Sequence, residues 1–306
     1  MTPLRTALAA TAACAAVLAA AVPASADPAI PSFVVSFTYT KLAPEATPPG
    51  ANDWACRPDA RHPRPVVLVH GTYENRYNDF AAMSPALAAD GFCVFALNYG
   101  DTDDSLASVP PSIKATGDIR RSARELGAFV DRVREATGAP QVDIVGHSQG
   151  GLMPRRYLKD GGASAVRNLV TLGATHHGTT LDGIATLVDT LGLLGFTPPA
   201  IGKAAAQQVV GSEFLLDLNA GGDTVPGVSY TVIATRFDEI TTPYRSTFLS
   251  AGPGARVNNV TLQDGCLLDL SDHLTMTYSP RAIGIVRRAL DPTAPAPPCL
   301  PALPLL

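Results

Sequence analysis

The chain has 306 residues, 46% hydrophobic and 16% charged, so it can bury the core of one large domain or two small ones. A formal net charge of −4 argues against partners such as nucleic acid or an anionic membrane surface. After the first 26 residues no uninterrupted apolar run reaches about 18 residues, so no transmembrane anchor is predicted.

Residues 1–26 are predicted to be a signal peptide. Arg5 supplies a positive charge, residues 7–22 are rich in alanine and leucine, and Ala24-Ser25-Ala26 is a typical cleavage site. The mature chain would then begin at Asp27, be one charge more negative, and be secreted to the extracellular space. A lipid anchor on Cys14 is disfavoured because no leucine stands three positions before it.

Strand-like and helix-like segments alternate after a proline-rich, polar lead-in over residues 27–62. Six apolar runs predict buried strands at residues 65–71, 93–100, 141–147, 167–175, 229–240 and, more weakly, 256–265. Helical periodicity marks residues 118–136, 149–159 and 280–290. This order predicts a single α/β domain over residues 27–306, with a mostly parallel central sheet and helices on both faces.

Residues 181–224 interrupt the alternation with an apolar segment that is too long for a plain connection. Its large apolar residues include Leu187, Val188, Leu191, Leu193, Leu194, Phe196, Ile201, Val209 and Val210. Two interpretations stay open: an apolar cap or lid beside the functional site, or additional core helices. The tail over residues 291–306 is too rich in proline for regular structure.

A G-x-S-x-G motif spans residues 146–150, between a predicted strand and a predicted helix. In such a nucleophile elbow the strand turns into the helix so tightly that flanking side chains would collide. Gly146 and Gly150 relieve this crowding, on either side of His147 and Gln149, and leave the Ser148 hydroxyl exposed on the turn. The motif therefore predicts Ser148 as a nucleophile.

A serine nucleophile needs a general base, for which His273 is the best candidate. In chains with this elbow the partners follow in the order serine, acid, histidine. Of the histidines, His273 alone follows the last predicted strand. His70 and His147 end strands and are expected to line the site or fill the core, and the histidines of residues 175–180 are expected to shape the pocket.

The acid that orients the base should lie between Ser148 and His273, just past a strand. Asp238 meets this condition, and Asp264 and Asp272 are its rivals. Asp272 is disfavoured because a residue reaches the imidazole of its own neighbour only awkwardly. Asp264 ends the last predicted strand and stays an alternative.

Acyl transfer also needs backbone donors where the oxyanion forms. The N–H of Gln149, directly after the nucleophile, is the first predicted donor. The second should come from the loop after the first strand, for which Thr72 is chosen because its hydroxyl could add a third donor.

The motifs together resemble secreted actinobacterial triacylglycerol lipases and esterases, of the Streptomyces type, with the α/β-hydrolase fold. The resemblance covers nearly the whole mature chain and is carried by VVLVHGT, GFCVFALNYG, IVGHSQGGLMPRRYL, THHGT, RFDEI and QDGC…DH. It implies a lipase or carboxylesterase, with Ser148, Asp238 and His273 as the catalytic triad. Thr72 and Gln149 would be its oxyanion donors.

Without Cys14, four cysteines remain, and an even number in a secreted chain favours disulfides. The predicted topology favours Cys56–Cys93, because both would lie at the same edge of the sheet. It also favours Cys266–Cys299, which would pin the loop that carries His273. A zinc site is disfavoured because the chain has no C-x-x-C pair.

The leading hypothesis is a secreted serine ester hydrolase that acts on lipid or other esters at an oil–water interface, as a monomer. No cofactor or metal is expected. A polyester hydrolase or an acyltransferase with the same triad is the alternative. A non-catalytic binding protein on a hydrolase scaffold is remote, because such proteins usually lose a triad member.

Overall fold

The computed structural model of the protein describes residues 29–101, 106–192 and 198–305. The predicted signal peptide lies outside these residues, as do Leu193, Leu194 and Phe196 of the inserted segment.

The centre of the described structure is one sheet of six strands, which confirms the predicted α/β architecture. The strands are β1 (Val66–Val69), β2 (Val94–Leu97), β3 (Val142–His147), β4 (Val166–Leu172), β5 (Ser229–Ala234) and β6 (Arg256–Thr261). Their order is β2-β1-β3-β4-β5-β6, and all neighbouring pairs run parallel. Because the strands are parallel, the loops that follow them leave from one common edge of the sheet.

Nine α-helices surround the sheet in the described part of the chain. They are α1 (Phe33–Leu42), α2 (Arg76–Phe80), α3 (Met83–Ala89), α4 (Ile119–Thr137), α5 (Gln149–Lys159), α6 (Leu181–Thr190), α7 (Pro198–Gln207), α8 (Glu213–Asn219) and α9 (Pro280–Leu290). The three predicted helices correspond to α4, α5 and α9. Helix α1 lies in the lead-in, where no regular structure was predicted.

Strand β1 is apolar throughout because both faces of the sheet are covered there. All four residues of β1 are buried. Val67 and Val69 face one core, which contains the apolar face of α4, whereas Val66 and Leu68 face a second core that contains residues of α9. The sheet is thus the middle layer of three.

The inserted segment over residues 181–224 consists of α6, α7 and α8 in its described part. Leu187, Val188, Leu191 and Ile201 are buried in a cluster with Tyr73 and other residues of the loops at the carboxyl edge of the sheet. Leu181 and Val210, by contrast, are exposed. The segment covers that edge, and its role as a cap stays a prediction.

Both predicted disulfides are present. Cys56 bonds Cys93, directly before β2, and Cys266 bonds Cys299. The second disulfide joins the loop after β6 to the tail, which runs without regular helix or strand over residues 291–305. A hydrogen bond from the Leu270 N–H to the Ala302 carbonyl, at 2.8 Å, extends this attachment.

Removing the Cys266–Cys299 disulfide should lower the free energy of unfolding by about 3–4 kcal/mol, because the bond closes a loop with a sequence separation of 33 residues. Guanidinium denaturation of the Cys266→Ser/Cys299→Ser variant measures the loss. The Cys56→Ser/Cys93→Ser variant is the reference, since its loop, with a separation of 37 residues, predicts a similar cost. A loss below about 1 kcal/mol would show that other contacts hold the tail.

Candidate active site

Ser148 lies on a sharp turn between β3 and α5. Its backbone has φ 52° and ψ −123°, a conformation that costs a non-glycine residue roughly 1–3 kcal/mol. A Cβ on Gly146 would lie 1.9 Å from the carbonyl oxygen of Gly150, and one on Gly150 would lie 2.0 Å from that of Val69. The two glycines are therefore required for α5 to pack directly against the end of β1.

Asp238 and His273 form a buried pair, although 35 positions separate them in the sequence. Asp238 follows β5, and His273 lies in the loop between β6 and α9. The Nδ1 atom of His273 lies 3.0 Å and 3.1 Å from the two carboxylate oxygens of Asp238. Backbone N–H groups of Ile240 and Thr241 donate to Asp238 Oδ1 and hold the carboxylate in place.

The pairing sets the protonation of the His273 ring. Because a carboxylate only accepts, Nδ1 carries the proton and Nε2 of the neutral ring is left with a lone pair. Nε2 is buried and has no hydrogen-bond partner among the described residues. Burial lowers the pKa of His273, but Asp238 outweighs burial and raises this pKa above its usual value.

The rival acids lie elsewhere. Asp264 is exposed and accepts a hydrogen bond from Arg236 at 2.7 Å. Asp272 accepts from the backbone N–H and the hydroxyl of Thr275 through its Oδ1. The carboxylate that contacts His273 Nδ1 is that of Asp238.

Two backbone N–H groups beside Ser148 have no acceptor among the described residues, those of Thr72 and Gln149. Both residues are buried. The Gln149 N–H is the first of α5, so no carbonyl of its own helix can accept from it. Free donors of this kind can bind an oxyanion.

The Thr72 hydroxyl is engaged inside the protein. It donates to Gln149 Oε1 at 2.6 Å and accepts from Gln208 Nε2 at 2.8 Å. Its proton is therefore not free for the third donation expected from the sequence. Gln208, from the inserted segment, is also held by the Thr175 hydroxyl, at 2.8 Å. Sequence reasoning missed Gln208, since only the tertiary fold brings it to Thr72.

A second cluster missed by sequence reasoning lies behind the turn. His147 Nδ1 lies 3.0 Å from Glu74 Oε2 and 3.1 Å from Asp79 Oδ2, and all three side chains are buried. Their ligand-type atoms lie within 4.8 Å of one another, so among the described residues this group could hold a metal. Asp79 Oδ2 also accepts from the Gly71 N–H at 3.0 Å. Hydrogen bonds from His147 Nδ1 and from the Gly71 N–H thus account for the short distances in this cluster.

The remaining histidines fill supporting positions. His70 stacks on Tyr99, and burial lowers the pKa of His70 to about 4, so this ring is neutral. His176 is buried against Thr171, and His177 pairs with Asp223.

Comparison with known proteins gives the same architecture. Residues 64–198 match the family described as the alpha/beta hydrolase fold. Aspergillus fumigatus lipase B superposes with a TM-score of 0.64 at 21% identity, over 85% of this chain and 60% of that one. Bacillus licheniformis lipase BlEst2 in its mature form gives 0.52 at 17% identity, over 77% and 94%. The chain has the alpha/beta hydrolase fold.

Two relatives by sequence are triacylglycerol lipases. Those of Pseudarthrobacter phenanthrenivorans and Burkholderia plantarii are each 28% identical over 198 residues, which is 62% of this chain. The matches cover 56% and 49% of these relatives, so the chain spans about half of their length.

Proposed function

We propose that the protein is a serine carboxylic-ester hydrolase, and specifically a triacylglycerol lipase, which acts through Ser148, Asp238 and His273. The observation that carries the proposal is the His273 ring, with Nδ1 held by Asp238 and Nε2 unpartnered. This is the protonation that a general base needs. The residue beside Ser148 contacts His273 as well, because His147 Nε2 donates to the His273 carbonyl at 2.9 Å.

The geometry supports a two-step reaction. In the first step, Ser148 Oγ attacks the ester carbonyl while His273 Nε2 takes the hydroxyl proton, and the tetrahedral intermediate then expels the alcohol, which receives that proton. In the second step, water gives a proton to His273 and attacks the acyl-enzyme, and Ser148 regains its proton as the acid leaves. Asp238 stabilises the imidazolium in both steps.

The oxyanion of each intermediate would lie between the free N–H groups of Thr72 and Gln149. The N-terminal end of α5 adds the positive end of a helix dipole at the same point. Each donor of this type contributes about 10²–10³-fold in kcat in other acyl-transfer enzymes.

The names of the relatives favour a lipid ester as the substrate, since both are triacylglycerol lipases. The predicted signal peptide and the two disulfides favour an extracellular location. In the described part of the chain no helix is long and apolar enough to cross a membrane.

Ser148→Ala should abolish hydrolysis of p-nitrophenyl esters and of emulsified triglyceride, with a loss of at least about 10³-fold, because the nucleophile is gone. Rates on both substrates, and covalent labelling by a fluorophosphonate, measure the change. The wild-type enzyme should label once, on Ser148. A variant that keeps more than a few per cent of the activity would assign the reaction to another serine, and an unlabelled, inactive wild-type protein would favour a binding protein.

Asp238→Asn should lower kcat by about 10³–10⁴-fold, because the His273 ring would lose the acceptor that fixes its tautomer. Asp264→Asn is the matched control and should leave kcat nearly unchanged, since this exposed carboxylate pairs with Arg236. Steady-state rates on a soluble short-chain ester decide between them. The opposite ranking would transfer the acid role to Asp264.

Contact with an oil surface needs exposed apolar side chains beside the site. Leu181 and Val210 are each 59% exposed. The Val210 N–H donates to the carbonyl of Thr179, two positions before Leu181, so the two exposed side chains belong to neighbouring parts of the surface. Each side chain that moves from water into lipid gains roughly 1.5–3 kcal/mol when fully buried. We propose that this part of the 181–224 segment meets the interface.

Leu181→Ser/Val210→Ser should therefore lower the rate on emulsified long-chain triglyceride by roughly tenfold, equivalent to about 1.4 kcal/mol of lost surface binding. The rate on dissolved short-chain ester should change little. Leu216→Ser is the control, because Leu216 is 65% exposed in the same segment but lies next to Asp217, which pairs with two arginines. Equal losses on both substrates would show that the pair supports the fold instead.

A further inference from the structure

His147 has both ring nitrogens engaged at full burial. On one side Nδ1 faces the carboxylates of Glu74 and Asp79, at 3.0 Å and 3.1 Å. On the other side Nε2 lies 2.9 Å from the carbonyl oxygen of His273. The imidazole therefore bridges the loop after β1 and the loop that carries the proposed base.

The partners of His147 determine its protons. A backbone carbonyl only accepts, so Nε2 carries a proton. When the facing carboxylates are ionised they also only accept, so Nδ1 then carries the other proton and the ring is an imidazolium. Burial lowers the pKa of His147, but Asp79 and Glu74 outweigh it and hold this pKa well above the usual value. Burial and Asp79 raise the pKa of Glu74 to about 7.

A hydrogen bond also connects the carboxylates to the oxyanion loop, the segment after β1 that contains Gly71 and Thr72. Asp79 Oδ2 accepts from the N–H of Gly71, which directly precedes Thr72. A Cβ on Gly71 would lie 2.1 Å from Glu74 Oε2, so a side chain there would displace the Glu74 carboxylate. The cluster thus contacts the oxyanion loop, the residue before Ser148 and the base-bearing loop at once.

We propose that His147 is a positioning residue in the form of a buried imidazolium. Its Nε2–H fixes the backbone of His273, and its Nδ1–H fixes the loop that carries Thr72 through Glu74 and Asp79. The inference rests on the proposed hydrolase function for its kinetic part alone. The charge has a second consequence, because the rings of His147 and His273 lie 4.9 Å apart. A fixed positive charge at that distance opposes protonation of His273 and keeps the base available at lower pH.

Other charged or titratable groups contribute to the same balance. Glu74 and Asp79 face the Nδ1 side of His147, and Asp238 and Glu239 face His273 from its other side. His70, Tyr99 and Tyr278 also interact with one or both of these carboxylates.

The proposal is tested first by nitrogen-15 NMR of the wild-type protein, with the His147 signals assigned from the His147→Gln spectrum or, failing that, by through-bond connectivity. His147 should keep both ring N–H protons across the pH range in which His273 titrates. A neutral His147 ring in that range would overturn the proposal. So would a metal found in the purified protein and bound at Nδ1, because it would replace the proton there. This measurement does not depend on enzymatic activity.

The kinetic test uses two substitutions that change the cluster charge in opposite directions. On a soluble ester, the acid limb of kcat reports the pKa of the base in the enzyme–substrate complex. His147→Gln should move this limb up by roughly one pH unit and lower kcat by about 10–100-fold, with KM changed less than about threefold. Glu74→Gln should move the limb down and cost less activity, because the imidazolium and Asp79 remain.

His62→Gln is the matched control, since His62 is 3% exposed but lies before β1 against Phe92, outside the cluster. It should leave both kcat and the acid limb unchanged. Losses of kcat with the limb fixed in both test variants would reduce His147 to a structural role and overturn the proposal. If His147→Gln does not fold, the shift in Glu74→Gln and the NMR titration decide. Absent hydrolysis by the wild type would refute the proposed function but leave the NMR result standing.

Discussion

The arrangement of the site depends on one backbone constraint, the close approach of α5 to the end of β1. Gly150 packs so tightly that a Cβ would lie 2.0 Å from the Val69 carbonyl oxygen. This contact places Gln149, which carries the first N–H of α5, next to Thr72. The strained Ser148 backbone follows from the same constraint, because a single residue must connect β3 to a helix that packs this closely. The surrounding contacts hold that residue in a conformation it would otherwise avoid.

The parallel sheet brings the other residues of the site together. Ser148, Asp238 and Thr72 follow β3, β5 and β1, and His273 lies in the connection after β6. Strands that run in one direction release their following loops at one edge, so residues far apart in sequence meet there. The Cys266–Cys299 disulfide and the pairing of the tail with residues 268–270 restrict the loop that carries His273.

Much of the fold could be predicted from the sequence, because strands that are buried on both faces have runs of apolar residues. Helix α4 could be predicted because its apolar residues recur with the period of a helix. The motif around Ser148, together with the expected strand order, was enough to choose Asp238 over Asp264 for the position beside His273. Helix α1 was missed because its sequence, FVVSFTYTKL, is rich in β-branched and aromatic residues, which favour strands in isolation. Tertiary packing overrides that local preference.

The polar contacts of the site could not be predicted in the same way. Glu74 precedes the short helix α2 and Asp79 lies within it, and nothing in their spacing distinguishes them from solvated surface acids. Gln208 is one polar residue in an apolar segment, with no motif around it. Their roles arise from contacts that only the folded chain creates, with Thr72 for Gln208 and with His147 for the two acids.

The charges around His273 have opposite effects on the two states of its ring. Asp238 and Glu239 would stabilise an imidazolium at His273, whereas His147 would oppose it. A buried base flanked by acids alone would hold its proton too firmly to accept the one from Ser148 near neutral pH. A base without them would not stabilise the imidazolium once formed. Because burial weakens solvent screening, the protein must set this compromise with fixed charges. A buried cation at His147 would be costly by itself, and the two buried carboxylates of Glu74 and Asp79 would compensate it.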